Sequence, residues 1–120
     1  MVSTREIGIM GERLAQQHLR KLGYEILETN WHHGHLELDI IAQEANELVI
    51  VEVKSRSGIR YEHPSEAVTN AKIKRIVEAA DAYIQENDVE IETRFDVITV
   101  IFLGQSHELE HFKDAFYPTM

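Results

Sequence analysis

A chain of 120 residues, 43% apolar and 28% charged, is long enough to bury a core and is expected to form one domain over residues 1–120. The absence of cysteine excludes disulfides, thiolate nucleophiles and cysteine-ligated zinc, and no apolar run approaches the ~20 residues that span a bilayer. The net charge of −9 weighs against a nucleic-acid partner for the chain taken as a whole, because phosphate binding calls for a basic field.

The opening Met-Val-Ser-Thr-Arg-Glu has no apolar signal core, so the cytoplasm is the expected location. Ser3 and Glu6 form a Ser-x-x-Glu capping box that starts a helix, and Gly23 stops it. Ile7, Met10, Leu14, His18 and Leu22 recur at three- and four-residue spacing and predict its buried stripe. Glu12 borders that stripe beside Ala15 and Leu19; it reads either as a surface glutamate or as a carboxylate reaching a site the helix covers. Tyr24 to Thr29 predicts a short strand, antiparallel to the next, and Asn30 to Gly34 a connecting loop. The cluster His32, His33 and His35 invites a zinc reading, but its spacing fits no common ligand pattern; loop and strand-edge positions fit it better.

The stretch from His35 to Lys54 is the most informative. Its two halves, His35 to Ala42 and Glu47 to Lys54, alternate with period two and predict strands, joined by a hairpin through Gln43-Glu44-Ala45-Asn46. Glu37, Asp39 and Ile41 share one face, and Glu52 and Lys54 share one with Leu48 and Ile50. A register that sets Asp39 opposite Glu52 also sets Glu37 opposite Lys54, with opposed Cβ atoms roughly 4.5–5.5 Å apart. Three carboxylates and one ammonium then meet on one patch. A solvated face carrying an exposed Glu37–Lys54 pair, worth under about 1 kcal/mol, is one reading. A divalent cation is the other: opposed carboxylates repel, and Mg²⁺ takes one or two such ligands with water completing the shell. Glu52 and Lys54 interrupt an apolar run, Leu48 to Val53, that looks buried on both faces, and buried charge needs a partner or an ion.

Ser55 to Pro64 predicts a loop holding Arg56, Gly58, Arg60, Tyr61 and His63, a mixture suited to phosphate contact and base stacking, though any soluble loop would look similar. Pro64-Ser65-Glu66 opens a brief helix carrying Ala67 and Val68. Thr69 then caps a helix whose apolar stripe is Ile73, Ile76, Val77, Ala80, Tyr83 and Ile84, ending near Asn87. Lys72, Lys74 and Arg75 lie in its first turns, unfavourably placed against the helix dipole unless a polyanion binds there. From Lys54 to Arg75 the cations Lys54, Arg56, Arg60, Lys72, Lys74 and Arg75 stand against Glu62 and Glu66 alone, so half of the chain's 12 lysines and arginines follow the carboxylate hairpin. Asp88 to Glu92 is an acidic connector, Arg94 to Phe102 the last long strand, Glu108 to Phe112 an edge strand, and Asp114 to Pro118 a tail returning its aromatics to the core. The helix between the third and fourth strands allows them to pair in parallel. The expected fold is α/β: helix, three strands, helix, strand, with a mixed sheet flanked by helices.

Asp39 followed by Glu52-Val53-Lys54 resembles the PD-(D/E)xK nuclease signature, and the αβββαβ order resembles the restriction-endonuclease-like core of that superfamily. Gly11-Glu12-x-x-Ala15, Leu19, Gly23-Tyr24, Asn30-Trp31, Glu37-Leu-Asp39-Ile-Ile-Ala and Val51-Glu-Val-Lys-Ser-Arg56 look like the YraN-like family of bacterial proteins. So do Pro64-x-Glu66-Ala-Val68, Arg94-Phe-Asp-Val97 and the Asp114-Ala-Phe116 tail, so that the likeness covers nearly the whole chain. That family is similar to archaeal Holliday-junction resolvases. The resemblance implies a Mg²⁺- or Mn²⁺-dependent endonuclease acting on DNA, branched DNA included, as a homodimer. It makes Asp39, Glu52 and the Val53 carbonyl the metal ligands and sets Lys54 beside the attacking water. Glu12 matches a helix-borne carboxylate that joins the metal site, and Glu37 the family's acid two before the aspartate. Leu38 stands where the superfamily has proline, and Leu36 where glycine is common before the family's glutamate, which leaves the part of Glu37 open. Arg56, Arg60, Lys72, Lys74 and Arg75 are the expected nucleic-acid contacts. Competing readings are a nuclease fold that binds nucleic acid or a DNA-processing protein without cutting, and a purely structural module. The intact Asp39, Glu52 and Lys54 set opposes both, since a binder has no need of mutually repulsive acids.

Overall fold

The structure, a computed structural model, describes residues 2–58 and 67–118. Helix α1 (Thr4–Lys21) starts at the capping box: the Ser3 hydroxyl accepts the Glu6 backbone N–H at 3.1 Å and donates to the Glu6 carboxylate at 3.1 Å. Gly23, at φ +90°, ends it in a conformation that glycine adopts without steric penalty. The stripe that faces the sheet is Gly11, Ala15 and Leu19, not the predicted Ile7, Met10, Leu14, His18 and Leu22; Met10 is 42% and Leu22 52% exposed. Side-chain size explains the shift. A Cβ on Gly11 would fall 1.7 Å from the Ser55 hydroxyl, so a small residue must occupy the closest approach, and the bulkier apolar residues flank the contact.

Five strands follow: β1 (Glu25–His33), β2 (Leu36–Glu44), β3 (Glu47–Ser57), β4 (Glu92–Leu103) and β5 (Ser106–Phe112), with α2 (Asn70–Glu86) between β3 and β4. They form one mixed sheet in the order β1-β2-β3-β4-β5, antiparallel except for the parallel β3–β4 pair. The fold is α/β, consistent with a restriction-endonuclease-like core. Helix α2 is capped by Thr69, whose hydroxyl accepts the Lys72 N–H at 3.2 Å, and its buried residues are Ile76, Ala79, Ala80 and Tyr83.

Two boundaries differ from expectation because strand partners extend them. Asn30 to His33 belongs to β1, since Trp31, His32 and His33 pair with Leu38, Glu37 and Leu36; the connection shrinks to Gly34-His35, with Gly34 at φ +61°. Ser55 to Ser57 belongs to β3, held in register with Val100 to Phe102 of β4. The hairpin break also narrows, Gln43 and Glu44 being paired, to Ala45-Asn46. The tail divides: Phe116 stacks on Phe95 at 5.2 Å, while Tyr117 remains 70% exposed. Arg60, Tyr61, His63 and the Pro64-Ser65-Glu66 turn lie outside the described residues.

Apolar clusters fill both faces of the sheet. Leu36, Leu38, Ile41, Leu48, Ile50, Phe95 and Val97 pack with α2; Ile40, Ala42, Val49, Val51, Ile98 and Val100 pack with Ala15 and Leu19 of α1. Strict alternation would keep the even positions of β2 on one side. Instead Leu36 and Leu38 join the α2 layer and Ile40 and Ala42 the α1 layer. Strand β2 therefore changes face at Asp39. Among the described residues, no helix is long and apolar enough to cross a membrane.

Candidate metal centre

The β2–β3 hairpin has the expected register, running from Glu44 opposite Glu47 to Ile40 opposite Val51, which brings Asp39 and Glu52 next in line. There the ladder stops. Beyond it the Val53 N–H bonds not to β2 backbone but to the Asp39 carboxylate, at 2.9 Å. The N–H and C=O of a strand residue point to the same edge, so the Val53 carbonyl looks into the same gap. The change of face at Asp39 and the parting of the strands are one event, and it leaves an acid where backbone pairing would otherwise continue.

Glu52 follows Leu48 and Ile50 on the α2 face and is only 4% exposed. Asp39 stands near enough for its charge to act on this carboxyl. Lys54 Nζ approaches it at 3.8 Å, and Lys72 Nζ, carried in by the first turn of α2, at 3.7 Å. Burial above all, then the charge of Asp39, push the Glu52 carboxyl up to about 8 against the pull of the two lysines. Glu12 reaches the pair from the opposite layer. The close Gly11–Ser55 contact sets α1 down on β3, and the next residue, Glu12, is half-buried. Burial and the charges of Asp39 and Glu37 raise its carboxyl above the usual range, while a hydrogen bond with Asn30 works the other way.

Among the described residues, no three Asp, Glu or His side chains stand close enough to chelate an ion by themselves. The donor set nonetheless suits a hard divalent cation. Asp39 and Glu52 supply two neighbouring carboxylates, Val53 a carbonyl on the same gap, and Mg²⁺ commonly takes one or two carboxylates with water and substrate oxygens filling the remainder. A cation there would also relieve the repulsion that now raises Glu52.

The other predicted residues separate. Glu37 is exposed and pairs with His32 at 3.7 Å, not with Lys54, because the ladder ends before those positions meet and Lys54 turns to Glu52. Lys74 and Arg75 are exposed in the first turns of α2, which hold no acid. Arg56 lies half-buried in β3 with a partner of its own, and Arg60 lies outside the described residues. His33 bonds Glu86 at 3.1 Å and stacks on Trp31, and His35 is exposed at the turn, so the histidine cluster is not gathered about one point.

Two features escaped the sequence reading. Lys72 was expected to face nucleic acid and instead reaches Glu52; the Thr69 cap, which fixes where α2 begins, carried that signal. The second is a buried charged network at the hairpin-turn end of the sheet. Arg94, 6% exposed, forks onto Asp96 at 2.9 and 3.0 Å and also reaches Glu44, Glu47 and the Tyr24 hydroxyl. Asp96 further accepts from His111 at 2.7 Å and from the Asp114 N–H at 3.1 Å. The Arg-x-Asp spacing puts both on one face of a strand, which is the trace it leaves in the sequence.

Known proteins align with the chain over its whole length. A family profile described as "Uncharacterised protein family UPF0102" matches residues 11–100. A UPF0102 protein of Bacteroides thetaiotaomicron is 48% identical over 120 residues, covering 100% of this chain and 99% of the relative. A UPF0102 protein of Flavobacterium psychrophilum is 47% identical over 117 residues, covering 98% of each, and one of Christiangramia forsetii is 38% identical over 98% of each.

Proposed function

The chain belongs to the UPF0102 family, and we propose that it is a divalent-cation-dependent endonuclease that hydrolyses DNA phosphodiester bonds in the cytoplasm. The observation that carries this reading is the Glu52 carboxyl, 4% exposed, beside Asp39 and flanked by two lysines. A protein with only structural needs would fill that position with an apolar residue, since replacing buried charge in this way is often neutral or stabilising.

Asp39, Glu52 and the Val53 carbonyl would hold the ion, with Glu12 bordering it from α1. Once bound, Mg²⁺ or Mn²⁺ supplies Lewis acidity toward the phosphate and lowers the pKa of water. The chain supplies the remainder. The Val53 N–H fixes the Asp39 carboxylate in one orientation. Lys54 and Lys72 set positive charge where the phosphate gains negative charge as it becomes pentacovalent, and their fixed placement requires no reorganisation during the reaction. Lys54 is also the group beside which the attacking water loses its proton. No covalent nucleophile is needed, in keeping with a chain that has no cysteine.

The resolvase resemblance adds branched DNA as the favoured substrate and a homodimer as the working form. Purified protein incubated with four-way-junction and linear DNA, with Mg²⁺, Mn²⁺ or EDTA, tests the proposal. Cutting is expected with metal alone and is lost in Asp39→Ala and Lys54→Ala. Salt-sensitive DNA binding with no cutting under any metal would overturn it in favour of a non-catalytic binding module.

A further inference from the structure

The acid pair accounts for cations on the α2 side of the sheet only. On the α1 side a cavity of about 420 Å³ opens beside Glu12, lined among others by Arg5, Gly8, Arg13, Gln16 and Asn30. The helical positions recur at three- and four-residue spacing, so one face of α1 forms the wall. Gly8 faces this open space, where a Cβ would meet nothing within 4 Å. Asn30, from β1, completes the lining, and the charge of Asp39 bears on Glu12 across the seam. Glu12 thus belongs both to the lining of the cavity and to the surroundings of Asp39.

Both arginines of this wall are exposed, and neither has an ion-pair partner among the described residues. Arg5 also sits in the first turn of α1, where the helix dipole disfavours a cation. Eight positions separate the two, about 12 Å along the helix axis, far enough apart for each to meet a different phosphate of one strand. In a chain of net charge −9, two unpaired cations beside a polar cavity are out of keeping with their surroundings.

We infer that this cavity is a phosphodiester-binding groove: Arg5 and Arg13, with Gln16 and Asn30, grip the strand on the α1 side of the acid pair while Lys74 and Arg75 face it on the α2 side. The inference rests on the nuclease reading for its ligand, DNA, and makes the substrate straddle the end of the sheet where β2 leaves β3. The sequence points to nucleic-acid contact at Arg56, Arg60, Lys72, Lys74 and Arg75 and leaves this wall of α1 unassigned.

The test uses a fluorescein-labelled DNA duplex and a four-way junction, titrated with protein in EDTA at several salt concentrations. Arg5→Ala/Arg13→Ala is compared with Arg20→Ala/Lys21→Ala, which removes the same charge from the exposed last turn of the same helix, and circular dichroism checks that both fold. The groove predicts that the first variant weakens binding about tenfold and flattens the salt slope by about two, one phosphate contact per arginine, while the second leaves the slope unchanged. Arg5→Lys/Arg13→Lys should restore the slope. Equal effects of the two alanine pairs, or no DNA binding by the parent protein, would overturn the groove. Cleavage in Mg²⁺, measured in parallel, separates the two claims. A parent that cuts, with the arginine pair dispensable, removes the groove and leaves the nuclease; an arginine-dependent binder that never cuts removes the nuclease and leaves the groove.

Discussion

Glu52 is the residue at which stability and chemistry oppose each other. Its carboxyl is raised to about 8, from an ordinary 4.5, so between those values the folded chain retains a proton that the unfolded chain has released. Stability attributable to this group therefore falls as pH rises from about 4.5 to 8, the reverse of a salt-bridged acid. Glu52→Gln should stabilise the metal-free protein by about 1–2 kcal/mol near pH 8 and by little near pH 5, measured by urea denaturation at both values. Equal stability changes at both would contradict it. Asp96 is the opposite case. Burial works against its charge, yet the hydrogen bonds from His111 and Arg94 win and hold its carboxyl below the usual range. Its contribution is present above about pH 3.9 and is lost as pH falls through the depressed folded value. Asp96→Asn should cost about 3 kcal/mol at pH 7, because it removes the buried charge onto which Arg94 forks and His111 donates, and the difference from the parent should shrink in acid. The Ser55 hydroxyl, buried under α1 without a partner among the described residues, makes a third case: Ser55→Ala should stabilise by roughly 1 kcal/mol.

The two glycines within α1 separate packing from propensity at the level of the element. Gly11→Ala puts a methyl group 1.7 Å from the Ser55 hydroxyl and 2.8 Å from its Cβ, so helix and strand must part; a loss of about 1–3 kcal/mol is expected, together with displacement of Glu12. Gly8→Ala meets open space and should gain about 0.5–1 kcal/mol from helix propensity alone. Thermal melts of the two variants should move in opposite directions. The same contact shows why sequence periodicity missed the stripe: hydrophobicity counts Met10 and Leu14 above Gly11, whereas the sheet selects the residue that lets backbones touch. What local chemistry alone decides was legible. The Ser3 and Thr69 caps, the Gly23 stop, the hairpin register and the parallel crossover all stand where the residues put them. The ends of β1 and β3 were not, because their partners lie on other strands. The change of face at Asp39 was not either, since period-two alternation cannot express a strand that turns over midway.

For the whole molecule, the fold reconciles an acidic chain with a polyanionic substrate by placement. Helices α1 and α2 cover opposite faces of the sheet, α1 carrying Arg5 and Arg13 and α2 carrying Lys72, Lys74 and Arg75 in its first turns, and the acid pair lies between them where β2 and β3 separate. The remaining surface, net negative, would repel DNA and restrict contact to this end, so affinity should fall steeply with salt despite the overall charge of −9. All of this depends on Asp39 and Glu52 acting as a single cation site. Calorimetric titration of Mn²⁺ into the parent protein and into Asp39→Ala and Glu52→Gln tests it most directly. One ion per chain in the parent, with binding abolished in each variant while the fold persists, is the predicted result. Parent protein that binds no Mn²⁺, or variants that bind it as the parent does, would contradict it.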